Sequence, residues 1–264
     1  MLLSLPVPVT SRAAVTETPP VAAKHPVTST LFGDKRVDDY AWLREKENPA
    51  VIDYLKAENA YTYAVTQPLE GFRETLYKEM LSRIKETDES VPYLNHGYWY
   101  YQREVEGLQY PIYCRRKGTM SAPEEVLIDV NELAKGHKFT SLGSFDVSPD
   151  GTKLAYSVDL TGYRQYTLQV KDLATGNVLA DTALRVTSAA WAADNKTLFY
   201  VQEDEVTKRS NHLHRLTLGE SDQPLLYDER DEMYDITVGD TRSDAYIVLT
   251  SSAKDTSEVR VLAA

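Results

Sequence analysis

Between Phe145 and Leu179 apolar and polar positions alternate in short runs broken by turn residues, and the pattern predicts four antiparallel strands. Phe145 and Val147 alternate with polar neighbours, and Ser148-Pro149-Asp150-Gly151 then supplies the proline and glycine a tight turn requires. Leu154 to Val158 resumes the run. Leu168, Val170 and Leu173 mark a third strand on which Gln169 and Lys171 are expected to face water. Ala174-Thr175-Gly176-Asn177 turns the chain into Val178-Leu179. A sheet of four short strands cannot bury both faces alone, so copies of it are expected.

The copies are present. Ala190 to Tyr200 repeats the pattern of Val147 to Tyr156, with Asn195 where Gly151 stood, and His212 to Leu216 repeats the Leu168 strand before Leu225-Leu226-Tyr227 closes the unit. Upstream, Tyr93-Leu94, Tyr98 to Tyr101, Tyr110 to Cys114 and Val126 to Ile128 form an earlier copy, and a later one runs from Ile236 through Tyr246–Leu249 to Glu258–Leu262. Val147 to Trp191 and Leu168 to Leu213 are each about 44 to 45 residues apart, the period of a propeller blade. Residues 86–264 are therefore read as a partial β-propeller, with three full blades and most of a fourth.

Before the strands the period changes. Asp34 is placed as a cap before a short aromatic helix reaching Arg44, and Asn48-Pro49 as the start of a longer one carrying Val51, Tyr54, Leu55, Tyr61 and Val65. After Gln67-Pro68, a second stripe runs through Phe72, Leu76, Met80 and Ile84, edged by Leu69, Tyr77 and Leu81. Both stripes are expected to pack in a core. Residues 24–85 form this helical segment. Residues 1–23, rich in Pro, Thr, Val and Ala, read as a disordered leader; they lack the basic start of a signal peptide.

Composition narrows the function classes. A formal net charge of −11 disfavours nucleic acid as a partner. No apolar run reaches membrane-spanning length. Cys114 is the single cysteine, so an internal disulfide is excluded, and its strand setting predicts an unreactive thiol. The chain is assigned to the cytoplasm, with periplasm or secretion as alternatives.

Catalytic patterns are sparse. A serine hydrolase elbow needs Gly-x-Ser-x-Gly, and Gly143-Ser144 lacks the flanking glycines. His25, His96 and His137 have no carboxylate or cysteine pattern around them. His212 and His214 share one strand face, yet two ligands without a third predict no metal centre. Asp228 to Glu232 reads as a solvated loop, and the Asn195-Lys196-Thr197 sequon falls on a tight turn. No catalytic, cofactor-binding or metal-binding residue is assigned, and no cofactor is expected.

Lys24-His25-Pro26, Leu31-Phe32-Gly33-Asp34-Lys35-Arg36-Val37-Asp38-Asp39-Tyr40-Ala41-Trp42-Leu43-Arg44 and Val51 to Asn59 resemble the N-terminal signature of the prolyl oligopeptidase family. Tyr98 to Tyr101, Gly107 to Tyr113, Arg164-Gln165-Tyr166 and Thr256 to Arg260 are similar to its oligopeptidase B branch. The resemblance implies a seven-bladed propeller inserted into an α/β-hydrolase domain built from both chain ends, with the helices up to residue 85 belonging to that domain. It further implies that the propeller gates substrate size and that short peptides are cleaved after Lys or Arg. In the family the Ser, Asp and His of the triad and the specificity carboxylates lie in the C-terminal part, so none is carried onto this sequence.

Seven blades need about 315 residues and about 170 follow Val91, so this chain is expected to be the N-terminal part of such an enzyme, poorly soluble and inactive alone. Its expected partners are the C-terminal hydrolase domain and peptides containing Lys or Arg. The alternative is a stand-alone propeller-like module that binds a peptide or protein through its blade loops.

Overall fold

The computed structural model describes residues 18–264, and these divide into two compact units that meet in sequence between Lys85 and Glu86. The first 17 residues of the expected leader lie outside the described residues.

The first unit corrects the sequence reading at Asp34. Strands β1 (Val27–Leu31) and β2 (Asp34–Asp38) form an antiparallel hairpin there, and helical geometry begins only with a single 3-10 turn at Ala41–Arg44. The hairpin turns on Phe32 and Gly33, both at positive φ (51° and 83°), a two-residue geometry that matches the twist of paired strands. Its strands bury neither face, so no period-two burial pattern announces them.

Helix α1 (Pro49–Thr66) starts as the sequence indicates. The Asn48 side chain accepts from the Ala50 N–H at 2.9 Å, and Pro49 occupies the first turn, where a missing donor costs nothing. Gln67–Leu69 makes a 3-10 turn and α2 (Glu70–Leu81) follows. The expected core packing of these helices is not found. Among the described residues of this unit only Val51 is buried, while Phe72, Tyr77 and Met80 are 67%, 61% and 58% exposed. Two helices and a hairpin in one short unit supply no layer to cover that stripe.

The second unit is mainly β. Four antiparallel strands, β3 (Tyr93–Asn95), β4 (Tyr98–Arg103), β5 (Ile112–Lys117) and β6 (Glu124–Asp129), make blade one. A short helix α3 (Val130–Leu133) leads to blade two, β7 (Ser141–Val147), β8 (Lys153–Asp159), β9 (Thr167–Asp172) and β10 (Val178–Ala183). Blade three is β11 (Val186–Trp191), β12 (Thr197–Glu203), β13 (Ser210–Thr217) and β14 (Leu225–Asp228). A three-stranded sheet, β15 (Asp235–Asp240), β16 (Tyr246–Ser252) and β17 (Ser257–Ala263), is the fourth. This is the partial propeller that the 44-to-45-residue repeat predicts.

Separate apolar layers join successive blades. Leu127, Ile128, Leu154 and Tyr156 pack between blades one and two; Leu168, Val170, Trp191 and Leu198 between two and three; Val201, Leu213, Ile236 and Ile247 between three and four. Polar bonds cross the same interfaces. Buried Arg115 donates across to the Gly151 carbonyl and, within its own blade, to Glu125, each at 2.8 Å, with its guanidinium 4.0 Å above the Tyr98 ring of the same blade. The Trp191 indole N–H donates to the Asp146 carbonyl at 3.1 Å, and the Trp191 backbone N–H to the Asp146 carboxyl at 3.2 Å.

This stacking corrects a second expectation. Gln169 and Lys171 are only partly exposed, and their polar ends are bonded within the protein: the Tyr156 hydroxyl donates to Gln169 at 2.6 Å, and the Lys171 ammonium donates to the Leu127 carbonyl at 2.8 Å. Burial pushes the Lys171 pKa below its ordinary value. A blade enclosed on both sides carries polar residues on a covered face and satisfies them there.

Candidate functional surface

A four-stranded antiparallel blade returns the chain to the end where it entered. The end at which the chain enters β3, here called proximal, therefore carries the β4–β5, β8–β9, β12–β13 and β16–β17 loops and the links between blades. The distal end carries the β3–β4, β7–β8, β11–β12 and β15–β16 turns.

The two ends differ in chemistry. Proximal loops expose Leu108, Phe139, Tyr163 (80%), Leu184, Val206 (87%) and Met233 (71%). The innermost distal turns are polar and tightly self-bonded. Asp150 accepts from the Ser148 hydroxyl and the Thr152 N–H, and Asp194 accepts from the N–H groups of Lys196 and Thr197. Gly151, Asn195 and Asp244 hold the positive-φ position of successive turns (74°, 58° and 54°), so Asn195 does stand in for Gly151.

Proximal loops keep their shape without covering those tips. Asp159, 1% exposed, accepts from the Thr161 hydroxyl and from the N–H groups of Thr161, Gly162 and Arg164, and against the effect of burial these bonds, the hydroxyl's first, hold its carboxyl below the ordinary carboxylate range. Asp204 repeats the device with Val206 and Thr207. The proximal end thus carries apolar tips on loops tied by their own hydrogen bonds.

The residues weighed in the sequence fall elsewhere. Ser144 lies within β7, its N–H donating to the Ser157 hydroxyl at 2.8 Å. A Cβ on Gly143 would lie 2.6 Å from that hydroxyl and 2.8 Å from the Tyr166 ring, so close packing requires this glycine. Cys114 is 1% exposed and its thiol is pushed up to about 11, chiefly by burial, so thiolate is scarce near neutrality.

His212 and His214 lie on one face with ring centroids 6.3 Å apart. His214 stacks on Tyr200 and its Nδ1 lies 3.2 Å from the Gln223 carbonyl, while His212 Nε2 lies 3.5 Å from Asp228. Among the described residues no group of three or more His, Cys, Asp or Glu is placed to hold a metal ion. His96 Nε2 lies 3.4 Å from Asp244, His25 packs edge-on against Trp42, and the His137 N–H donates to the Ala134 carbonyl.

Asn195, the sequon residue, is half-buried and its carbonyl oxygen accepts from the Asp150 N–H at 2.8 Å. The acidic loop from Asp228 is not wholly solvated: Glu229 accepts from the Tyr227 hydroxyl and from the Ser251 hydroxyl, the latter tying it to blade four. Among the described residues no helix is long and apolar enough to cross a membrane.

Comparisons with known proteins agree with this architecture. The family model described as "Prolyl oligopeptidase, N-terminal beta-propeller domain" matches residues 19–264. Dipeptidyl aminopeptidase BI of Pseudoxanthomonas mexicana is 39% identical over 96% of this chain and 38% of its own length. Protease 2 of Moraxella lacunata is 34% identical over 92% of this chain and 36% of its own. The structure of oligopeptidase B from Leishmania major superposes with a TM-score of 0.83 at 32% identity, covering 93% of this chain and 37% of that one. The chain thus spans less than two fifths of the length of these relatives. With the blades, the repeat and the family match in agreement, the chain belongs to the prolyl oligopeptidase family, of which it holds the N-terminal propeller part.

Proposed function

We propose that this chain is the N-terminal and propeller portion of a serine-type oligopeptidase resembling oligopeptidase B, which hydrolyses short peptides after Lys or Arg. The observation that carries this reading is the match along nearly the whole chain to peptidases whose remaining length lies beyond it. In this reading residues 24–85 belong to the hydrolase domain, and the blades from residue 86 onward limit which substrates reach its triad.

The proximal end suits the hydrolase-facing role. A propeller inserted into another domain must leave and rejoin it from the end where its first strand begins, and that end carries the apolar tips Tyr163, Val206 and Met233. Apolar area of this kind is stabilised by burial at about 25 cal/mol per Å². The exposed α2 stripe of Phe72, Leu76 and Met80 has the same need for a partner surface.

The purified 264-residue chain is expected to leave an Arg-containing chromogenic peptide uncleaved, because the catalytic Ser, Asp and His belong to the hydrolase domain in this reading. Turnover that follows the chain through purification and survives removal of contaminating protease would overturn the assignment.

A further inference from the structure

Between blades one and two, near the proximal end, lies a cavity of about 280 Å³. Its walls are aromatic: Tyr93 stacks on Tyr100 with centroids 5.5 Å apart, and Tyr113 stacks on Phe145 at 4.9 Å. Ser90 and Gln102 close one side, fixed by reciprocal bonds in which Ser90 N–H donates to the Gln102 carbonyl and Gln102 N–H to the Ser90 hydroxyl. The same two residues line a second hollow of about 190 Å³ whose other walls are Asp88, Glu89 and Glu104. An aromatic slot and a carboxylate-walled hollow therefore share a partition.

We propose that this composite cleft binds a positively charged side chain of a peptide, as an accessory subsite on the propeller itself. Tyrosine faces attract a guanidinium or ammonium through the ring quadrupole, and their apolar bodies cover its methylene stem. Glu89 and Glu104 supply the opposite charge at the partition. Two neighbouring cations, Arg103 and Arg116, share Glu124 at 3.1 Å and 3.6 Å, and Arg116 also feels the Glu89 carboxylate, which leaves Glu104 as the carboxylate more open to a ligand. The chain uses the same chemistry internally, with Arg115 4.0 Å over Tyr98 and Arg260 4.6 Å over Tyr227. A net charge of −11 favours the approach of a cationic peptide and disfavours an anionic one. The residues that line the cleft come from blades one and two and the segment leading into blade one, and both blades are complete four-stranded sheets.

The test titrates the full 264-residue chain with acetyl-Ala-Arg-Ala-amide and with its citrulline counterpart, which keeps the shape and removes the charge. The arginine peptide is expected to bind at least tenfold more tightly. The double substitution Glu89→Gln/Glu104→Gln, at exposed positions, is expected to weaken it at least threefold, flatten its salt dependence and leave the citrulline peptide unchanged. Tyr93→Leu is expected to weaken both peptides. Equal binding of the two peptides, no binding of the arginine peptide, or an affinity indifferent to the glutamates would each overturn the subsite. An apolar preference would assign the slot to uncharged groups instead and equally refute it. Such a failure leaves the peptidase assignment intact, because that reading is tested by turnover and this one by equilibrium binding.

Discussion

Replacing Trp191 with alanine is expected to destabilise the propeller unit by about 3–5 kcal/mol, the usual cost of removing a buried tryptophan. The side chain is 3% exposed and lies in the layer between blades two and three with Leu168, Val170, Leu198 and Leu216. Three losses coincide at one position. The apolar area is forfeited, a cavity opens in the apolar layer between two sheets, and the Asp146 carbonyl loses its indole donor. Urea unfolding followed by circular dichroism checks this, with the midpoint falling and the slope unchanged. Trp191→Phe retains most of the area but not the N–H, so a smaller loss is expected. A Trp191→Ala loss below about 1 kcal/mol would show that the blades are not joined as described.

Asp146 is expected to make the same interface sensitive to pH. Its carboxyl accepts from the Trp191 backbone N–H, but burial, followed by the nearby Asp240 carboxylate, raises its pKa from the ordinary 3.8 to about 7. Asp244 adds to the rise, while the Trp191 and Val147 N–H groups oppose it. Tyr93 also faces this carboxyl, and His96 lies beside Asp244.

The sign follows from linkage. A folded-state pKa above the unfolded value gives stability that is fully present below about 4 and is lost as pH rises through about 7. Asp146→Asn keeps the oxygen acceptor and removes the charge. The difference in unfolding free energy, wild type minus variant, should therefore fall between pH 4 and pH 8, with the variant gaining relative stability at the alkaline end. A difference that stays flat or rises over that window would show that Asp146 does not titrate there.

Much of the propeller was legible because its signals are local. Ser148-Pro149-Asp150-Gly151 and Ala192-Ala193-Asp194-Asn195 mark the same turn twice, and a positive-φ residue closes each. Asn48-Pro49 likewise specifies a helix start through one cap and one proline.

What was missed depends on partners distant in sequence. Gln169 and Lys171 alternate with buried residues like any half-wet strand, and the bond from Lys171 to Leu127 is visible only once the neighbouring blade is in place. The β1–β2 hairpin buries neither face, so periodicity is silent there, and its signal was the Phe32-Gly33 turn. The Phe72 stripe is periodic as expected yet exposed in this chain, because periodicity identifies an apolar face without naming what covers it. The aromatic cleft gathers Tyr93, Tyr100, Tyr113 and Phe145 from four strands, and only strand register brings them together.

The most direct measurement joins this chain to a hydrolase domain. In Protease 2 of Moraxella lacunata, the region corresponding to these residues would be replaced by them, and hydrolysis of Lys, Arg and neutral peptide substrates compared. A folded chimera that cleaves the Lys and Arg substrates, and loses activity when the partner's catalytic serine is replaced, is the predicted result. A folded, monodisperse chimera that cleaves none of them would contradict the role of this chain as the propeller of an oligopeptidase.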